Sequence, residues 1–201
     1  MKRSPLKRLR YLLLFICFWV SGCLFPERFS AEIAIHKDLS FDFKYEGILT
    51  AIMARADETE QGHISSERER EMLRWAEELK RDPGFKQVNY IGHGQFKVSY
   101  EKHGQLDKSF AFVAKDIKLI SIVPKKNNTI EIKGLKVSKS RRHKLNVLGM
   151  TIEGDLHIVS DLPAIQHNAQ EFHASESSTA IYHWHVASLT DPAPRLVLSA
   201  L

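Results

Sequence analysis

The stretch Ala31-Glu-Ile-Ala-Ile-His-Lys-Asp-Leu-Ser-Phe-Asp-Phe-Lys-Tyr45 decides how the chain is read. Ile33, Ile35, Leu39, Phe41, Phe43 and Tyr45 all fall on odd positions, with Glu32, His36, Asp42 and Lys44 between them. A period of two marks a strand with one face buried and one wet. The alternation lapses at Lys37-Asp38, which predicts a turn. The stretch therefore reads as a hairpin whose second strand runs on through Gly47 to about Arg55.

Beyond the hairpin, Asp57 to Ser65 reads as polar loop. Ser66-x-x-Glu69 has the spacing of a capping box. Met72, Trp75, Ala76 and Leu79 then form one helical stripe, with Arg74/Glu78 and Glu77/Arg81 as i,i+4 pairs on the wet side. Asp82-Pro83-Gly84 ends that helix, predicted over 66–81. Strand patterns follow to the end of the chain: Phe96, Val98 and Tyr100 after a turn at Gly92 to Gly94; Ile130 and Ile132, with a bulge expected at Gly134; Met150, Ile152, Leu156 and Ile158; and Ala180 to Ala187. The class is α+β: an antiparallel sheet of about eight strands with one main helix, 66–81, packed on it. Residues 31–201 form a single domain.

Toward the N-terminus, Lys2, Arg3, Lys7, Arg8 and Arg10 precede an apolar run, Tyr11 to Val20. Basic residues followed by so short a run make a secretory signal, too short to span a bilayer comfortably. Its end resembles a bacterial lipobox: Val20, Ser21 and Gly22 before Cys23. The resemblance implies cleavage after residue 22 and acylation of Cys23, palmitate among the expected chains. Each buried CH2 of such chains contributes about 0.8 kcal/mol to membrane binding. Residues 23–30 are then a tether to a membrane. Leu24, where an aspartate would mark inner-membrane retention, implies the periplasmic face of the outer membrane in a Gram-negative host.

Charge changes meaning once the signal is removed. The full chain is +5, but losing five of its 29 bases with residues 1–22 leaves 24 bases against 24 acids. A neutral domain lacks the electrostatic footprint of a nucleic-acid binder. Cys17 leaves with the signal and Cys23 is acylated, so the mature domain has no disulfide and no free thiol.

Motifs for chemistry are sparse. The chain has no G-x-S-x-G elbow, no phosphate loop and no dinucleotide fingerprint. The reading is non-enzymatic and needs no cofactor, although carboxylates paired across strands stay open. His183-Trp184-His185 on a strand puts both imidazoles on one face and Trp184 on the other. A metal site there needs a third ligand, with His157 and His173 as candidates, and a hydrogen-bonded surface pair is the plainer reading. Lys139, Arg141, Arg142, His143 and Lys144 form a basic loop, and Lys125-Lys126 another. At one end of the sheet the two could meet anionic headgroups.

Taken together, Cys23, Tyr45-Glu46-Gly47, the helix from Ser66, Gly154 and Trp184 resemble the layout of mycobacterial LppM-like envelope lipoproteins. The resemblance implies a sheet with a helix against it, enclosing or presenting an apolar surface, and lipid binding. The chain thus reads as a membrane-anchored envelope lipoprotein that binds a lipid or other hydrophobic ligand. Phe41, Phe43, Trp75, Phe96 and Tyr100 are the expected pocket. The alternative is a scaffold that holds another envelope protein through a strand edge or the basic loops.

Overall fold

The computed structural model describes residues 24–114, 117–174 and 179–200. The odd-numbered alternation becomes a long hairpin. Strands β1 (Leu24–Ile35) and β2 (Ser40–Ala51) run antiparallel, with Ile33 opposite Phe43 and Ala31 opposite Tyr45. The turn lies at His36 to Leu39, where Leu39 takes a φ of 64° and its N–H donates to the His36 carbonyl at 3.0 Å.

β1 starts earlier than the alternation suggests. Residues 24–30, expected as a tether, are its first half, and Leu24 and Phe25 are fully buried. Pro26 does not break the strand, because the register of the pair shifts between Pro26 and Arg28.

The strands number twelve among the described residues, in two sheets rather than one sheet of eight. After the hairpin come β3 (Phe85–Tyr90), β4 (Gln95–Gln105), β5 (Phe110–Ala114), β6 (Ile117–Lys125) and β7 (Thr129–Gly134). They are followed by β8 (Glu153–Ser160), β9 (Ala164–His167), β10 (Glu171–Ala174), β11 (Ala180–Val186) and β12 (Arg195–Ser199). The larger sheet has the order β10-β11-β8-β1-β2-β4-β3 and the smaller β5-β6-β7-β12-β9. The larger sheet is not wholly antiparallel: β1 pairs parallel with β8, Ile33 beside Ile158. More than a hundred residues separate those two strands, so local periodicity carries no sign of their pairing. Gly134 ends β7 rather than forming a bulge.

Among the described residues three helices stand where one was expected. α1 (Ile52–Gln61) follows β2 directly; Ala51 precedes it without a side-chain cap, and Gly62, at φ 76°, closes it. With no capping residue at its start, this helix looks like the tail of the strand before it. α2 (Ser66–Leu79) is the expected helix, and its buried residues are the expected stripe of Met72, Trp75, Ala76 and Leu79. Its cap is Ser65 rather than Ser66: the Ser65 Oγ accepts from the Arg68 N–H at 3.2 Å. Glu69 is free of any capping box and accepts from the Tyr90 hydroxyl at 2.6 Å instead. The basic loop is α3 (Lys139–Val147), capped by Ser138 and held by one buried residue, Leu145.

The inner faces of the two sheets meet over aromatic rings. Phe112 of β5 lies 4.7 Å from the rings of both Tyr45 and Tyr100, and 5.3 Å from Phe43. One side chain of the smaller sheet thus touches β2 and β4 of the larger one. We expect Phe112→Ala to lower unfolding free energy by about 3–5 kcal/mol, against less than about 0.5 kcal/mol for the half-exposed Phe172→Ala. Urea denaturation of both variants checks this, and equal effects would refute the placement of the core.

Candidate functional site

Three glycines admit close approach of Phe29 and Pro194, two residues that line a slot between the sheets. In the larger sheet Phe29 of β1 lies between Gly47 of β2 and Gly154 of β8 in register. A Cβ at Gly47 would stand 2.4 Å from the Arg28 carbonyl oxygen, and one at Gly154 would stand 2.4 Å from that of Phe29. Only glycine fits either place, so neither position puts a side chain on the inner face. In the smaller sheet Gly134 meets the Pro194 ring, which a Cβ would approach to 2.9 Å.

A slot remains between the layers. Its walls include Phe29, Tyr45 and Leu156 from one sheet and Leu119, Ile120 and Leu135 from the other, and the 188–194 loop closes one side. Its cavity volume is about 40 Å³, well below that of a pocket shaped for a drug-sized ligand. Its narrowness suits a slender occupant, such as one hydrocarbon chain, better than a fused ring system.

One wall residue is not at rest. The Tyr45 ring stacks on Phe29 at 6.0 Å with the planes 9° apart. Its side chain is 1% exposed, and its hydroxyl has no hydrogen-bond partner. Burial pushes its pKa far above the ordinary phenol value. An orphaned buried hydroxyl costs about 1–3 kcal/mol. It is a donor waiting for an acceptor.

The residues expected to line a pocket lie elsewhere. Phe41, Phe43, Trp75, Phe96 and Tyr100 are all buried in the main core, and none lines the slot. The four strand residues share the inner face with Tyr45, and Trp75 is on α2, but all lie where β5 and α2 fill the space. Phe41 and Phe43, for example, face the Phe110 ring at 5.0 and 5.3 Å. Gly47, Gly154 and Gly134 are the local signal of the close approaches that seat Phe29 and Pro194 in the slot wall.

The basic segments do not share an end of the smaller sheet. The Lys125-Lys126 turn precedes β7, whereas α3 follows it. Lys125 is also engaged, 3.2 Å from Glu131, which takes Lys133 at 2.9 Å and Arg195 at 3.1 Å as well. Lys133 leads these bases in holding the Glu131 carboxyl down at about 2, against the opposing effect of its burial.

His183 and His185 share the outer face of the larger sheet, while Trp184 is buried in the core, its Nε1 donating to Asn168 Oδ1 at 2.9 Å. Both imidazoles converge on one oxygen, Asp155 Oδ1, at 2.9 and 3.0 Å. His157 stacks on His183 at 4.2 Å. Among the described residues no group of three or more His, Cys, Asp or Glu side chains has the arrangement of a metal site. His173, on the edge strand β10, is opposite Ile181 in register. The lipobox residues Val20, Ser21, Gly22 and Cys23 lie outside the described residues. Among the described residues no helix is long and apolar enough to cross a membrane.

Burial pushes the His183 pKa down, but the Asp155 and Glu171 carboxylates outweigh it, and the net shift is upward. A raised histidine pKa stabilises the fold in full below the ordinary value near 6.5, and this is lost as pH rises through the raised value. We expect Asp155→Asn to bring the His183 titration, followed by NMR of its ring protons, below that of the natural protein. An unmoved titration would show that Asp155 does not set it.

No family model and no curated protein matches this chain. Among solved structures, the folded domain of LppM from Mycobacterium tuberculosis, determined by NMR, is similar with a TM-score of 0.38 and 10% identity. The match covers 90% of this chain and 93% of that one. Likeness at this level transfers no residue role and no activity.

Proposed function

We propose that this protein is an acyl-anchored envelope lipoprotein that binds a hydrophobic, single-chain ligand in the slot between its sheets, without catalysing a reaction on it. The observation that carries the reading is Tyr45: a buried hydroxyl without an acceptor, in the wall of an otherwise apolar slot. An acyl chain along Phe29, Leu135 and Leu156 would displace little water. A carbonyl or carboxylate at its head would accept from the Tyr45 hydroxyl. The anchor in this reading is the lipobox cysteine, Cys23, which places the domain on a membrane where such ligands are abundant. The periplasmic face of the outer membrane is the place it implies in a Gram-negative host.

The second reading is a scaffold. It is favoured by the open edge of β10, where Phe172 is 47% exposed, and by Ile165 of β9 at 61%. An open edge beside exposed apolar side chains suits strand addition by a partner.

The test uses the acylated protein and the fluorescent fatty acid cis-parinaric acid. The natural protein is expected to bind it saturably, and Leu135→Trp, which fills the slot, to abolish binding. Tyr45→Phe should weaken binding about fivefold, the worth of one hydrogen bond. The same variant should raise the stability of the empty protein by about 1 kcal/mol or more, because it removes an unsatisfied group. Absence of saturable binding, with no lipid co-purifying by native mass spectrometry, would sink the ligand reading and favour the scaffold.

A further inference from the structure

From Ile132 to Ile152 the chain carries six lysines and arginines and no acid, within a mature sequence balanced at 24 of each sign. Helix α3 is the centre of this run. Lys139, Arg141 and Lys144 are exposed and Arg142 is half-buried. Among the described residues no carboxylate forms an ion pair with any of the four, and no acid lies in the run to offset them. Val147, at the end of α3, is 63% exposed.

The position of α3 gives the charge a meaning. Its one buried residue, Leu145, belongs to a small separate core with Phe25, Met150 and Ile152. Phe25 follows Cys23 by two residues in the sequence. Ile152 of this small core, with Leu135 and Val137 packed against it, also lines the slot. The start of β1, the basic helix and one side of the slot therefore stand at one end of the molecule.

We infer that α3 is a second membrane contact, resting its lysines and arginines on anionic phospholipid headgroups beside the acyl anchor and turning that side of the slot toward the bilayer. The inference rests on the acylation of Cys23 proposed above. The occupant is an anionic bilayer because the patch is uniformly basic and packs, through Leu145, on Phe25, two residues after the cysteine that would carry the acyl chains. Basic clusters of this kind add to an acyl anchor through the surface potential of anionic lipids.

The experiment places the acylated full-length product in vesicles of phosphatidylcholine alone or mixed equally with phosphatidylglycerol. Cys23 is the one cysteine of the mature chain, and its thiol is blocked by acylation, so a single introduced cysteine takes a fluorophore cleanly. Val147→Cys reports on α3. Asp107→Cys reports on the far end: Leu106 bonds to Leu39 at the hairpin turn, and the twelve residues of β1, at about 3.3 Å each, put that turn about 40 Å from Leu24. With a quencher on the lipid headgroups, the label at 147 should be quenched in the anionic vesicles and less in the neutral ones. That difference should vanish in 1 M salt, where the screening length falls to about 3 Å, and in the triple variant K139E/R141E/K144E. The label at 107 should stay bright in both. Equal quenching at the two positions, or no dependence on phosphatidylglycerol, overturns the inference. The mass of the Cys23 peptide separates the two failures. An unmodified cysteine overturns the anchor and this contact together, whereas an acylated one without quenching at 147 overturns this contact alone.

Discussion

The pairing of β1 between β2 and β8 is the constraint on which the rest depends. It joins the first hairpin to strands more than a hundred residues later, in parallel register from Arg28–Glu153 to Ile35–Ser160. Pairing this far apart in sequence is costly in loop entropy. The inner face finds cover in the smaller sheet through Phe112. β1 is held by a strand on either side, and its ladder with β2 reaches back to Leu24.

The same pairing explains why the interior is solid in one place and open in another. Where β5 and α2 cover the larger sheet, phenylalanines and tyrosines interlock at ring distances of 4.7–5.3 Å. Where β6 and β7 cover it, a narrow apolar slot remains between Phe29, Tyr45 and Leu156 on one side and Leu119 and Ile120 on the other. Close packing would be the stable choice, since a gap forfeits dispersion contacts on both walls. The unsatisfied Tyr45 hydroxyl adds a further cost at the same place. A fold that keeps both is arranged around something other than its own stability.

Charge is organised by the same division. On the outer face of the larger sheet, imidazoles and carboxylates neutralise one another around Asp155 and Asp42: His183 and His185 on the first, His36 and His103 on the second. On the smaller sheet three bases surround Glu131. Such exposed pairs contribute little to stability individually. They leave a face on which both signs are mixed, unlike the uniformly basic run along α3.

Much was legible in the residues alone. The odd-numbered alternation of Ile33 to Tyr45 determined a hairpin and its buried face, because side chains on a strand have no choice but to alternate. The stripe of Met72, Trp75, Ala76 and Leu79 determined a helix, and His183-Trp184-His185 placed its indole inward. These are local periodicities, set by backbone geometry. The division into two sheets, the parallel β1–β8 pair and the slot were decided by contacts between distant segments, which no local pattern encodes. The aromatic residues that looked like a pocket became core because β5 and α2 came to lie on them. The glycines on which Phe29 and Pro194 pack were visible, but their shared location was not. Likewise the basic residues of α3 could be read as a charged segment from sequence, but only the packing of Leu145 with Phe25 put them beside the start of β1. Sequence reports which face a side chain takes. Only tertiary structure decides what that face meets.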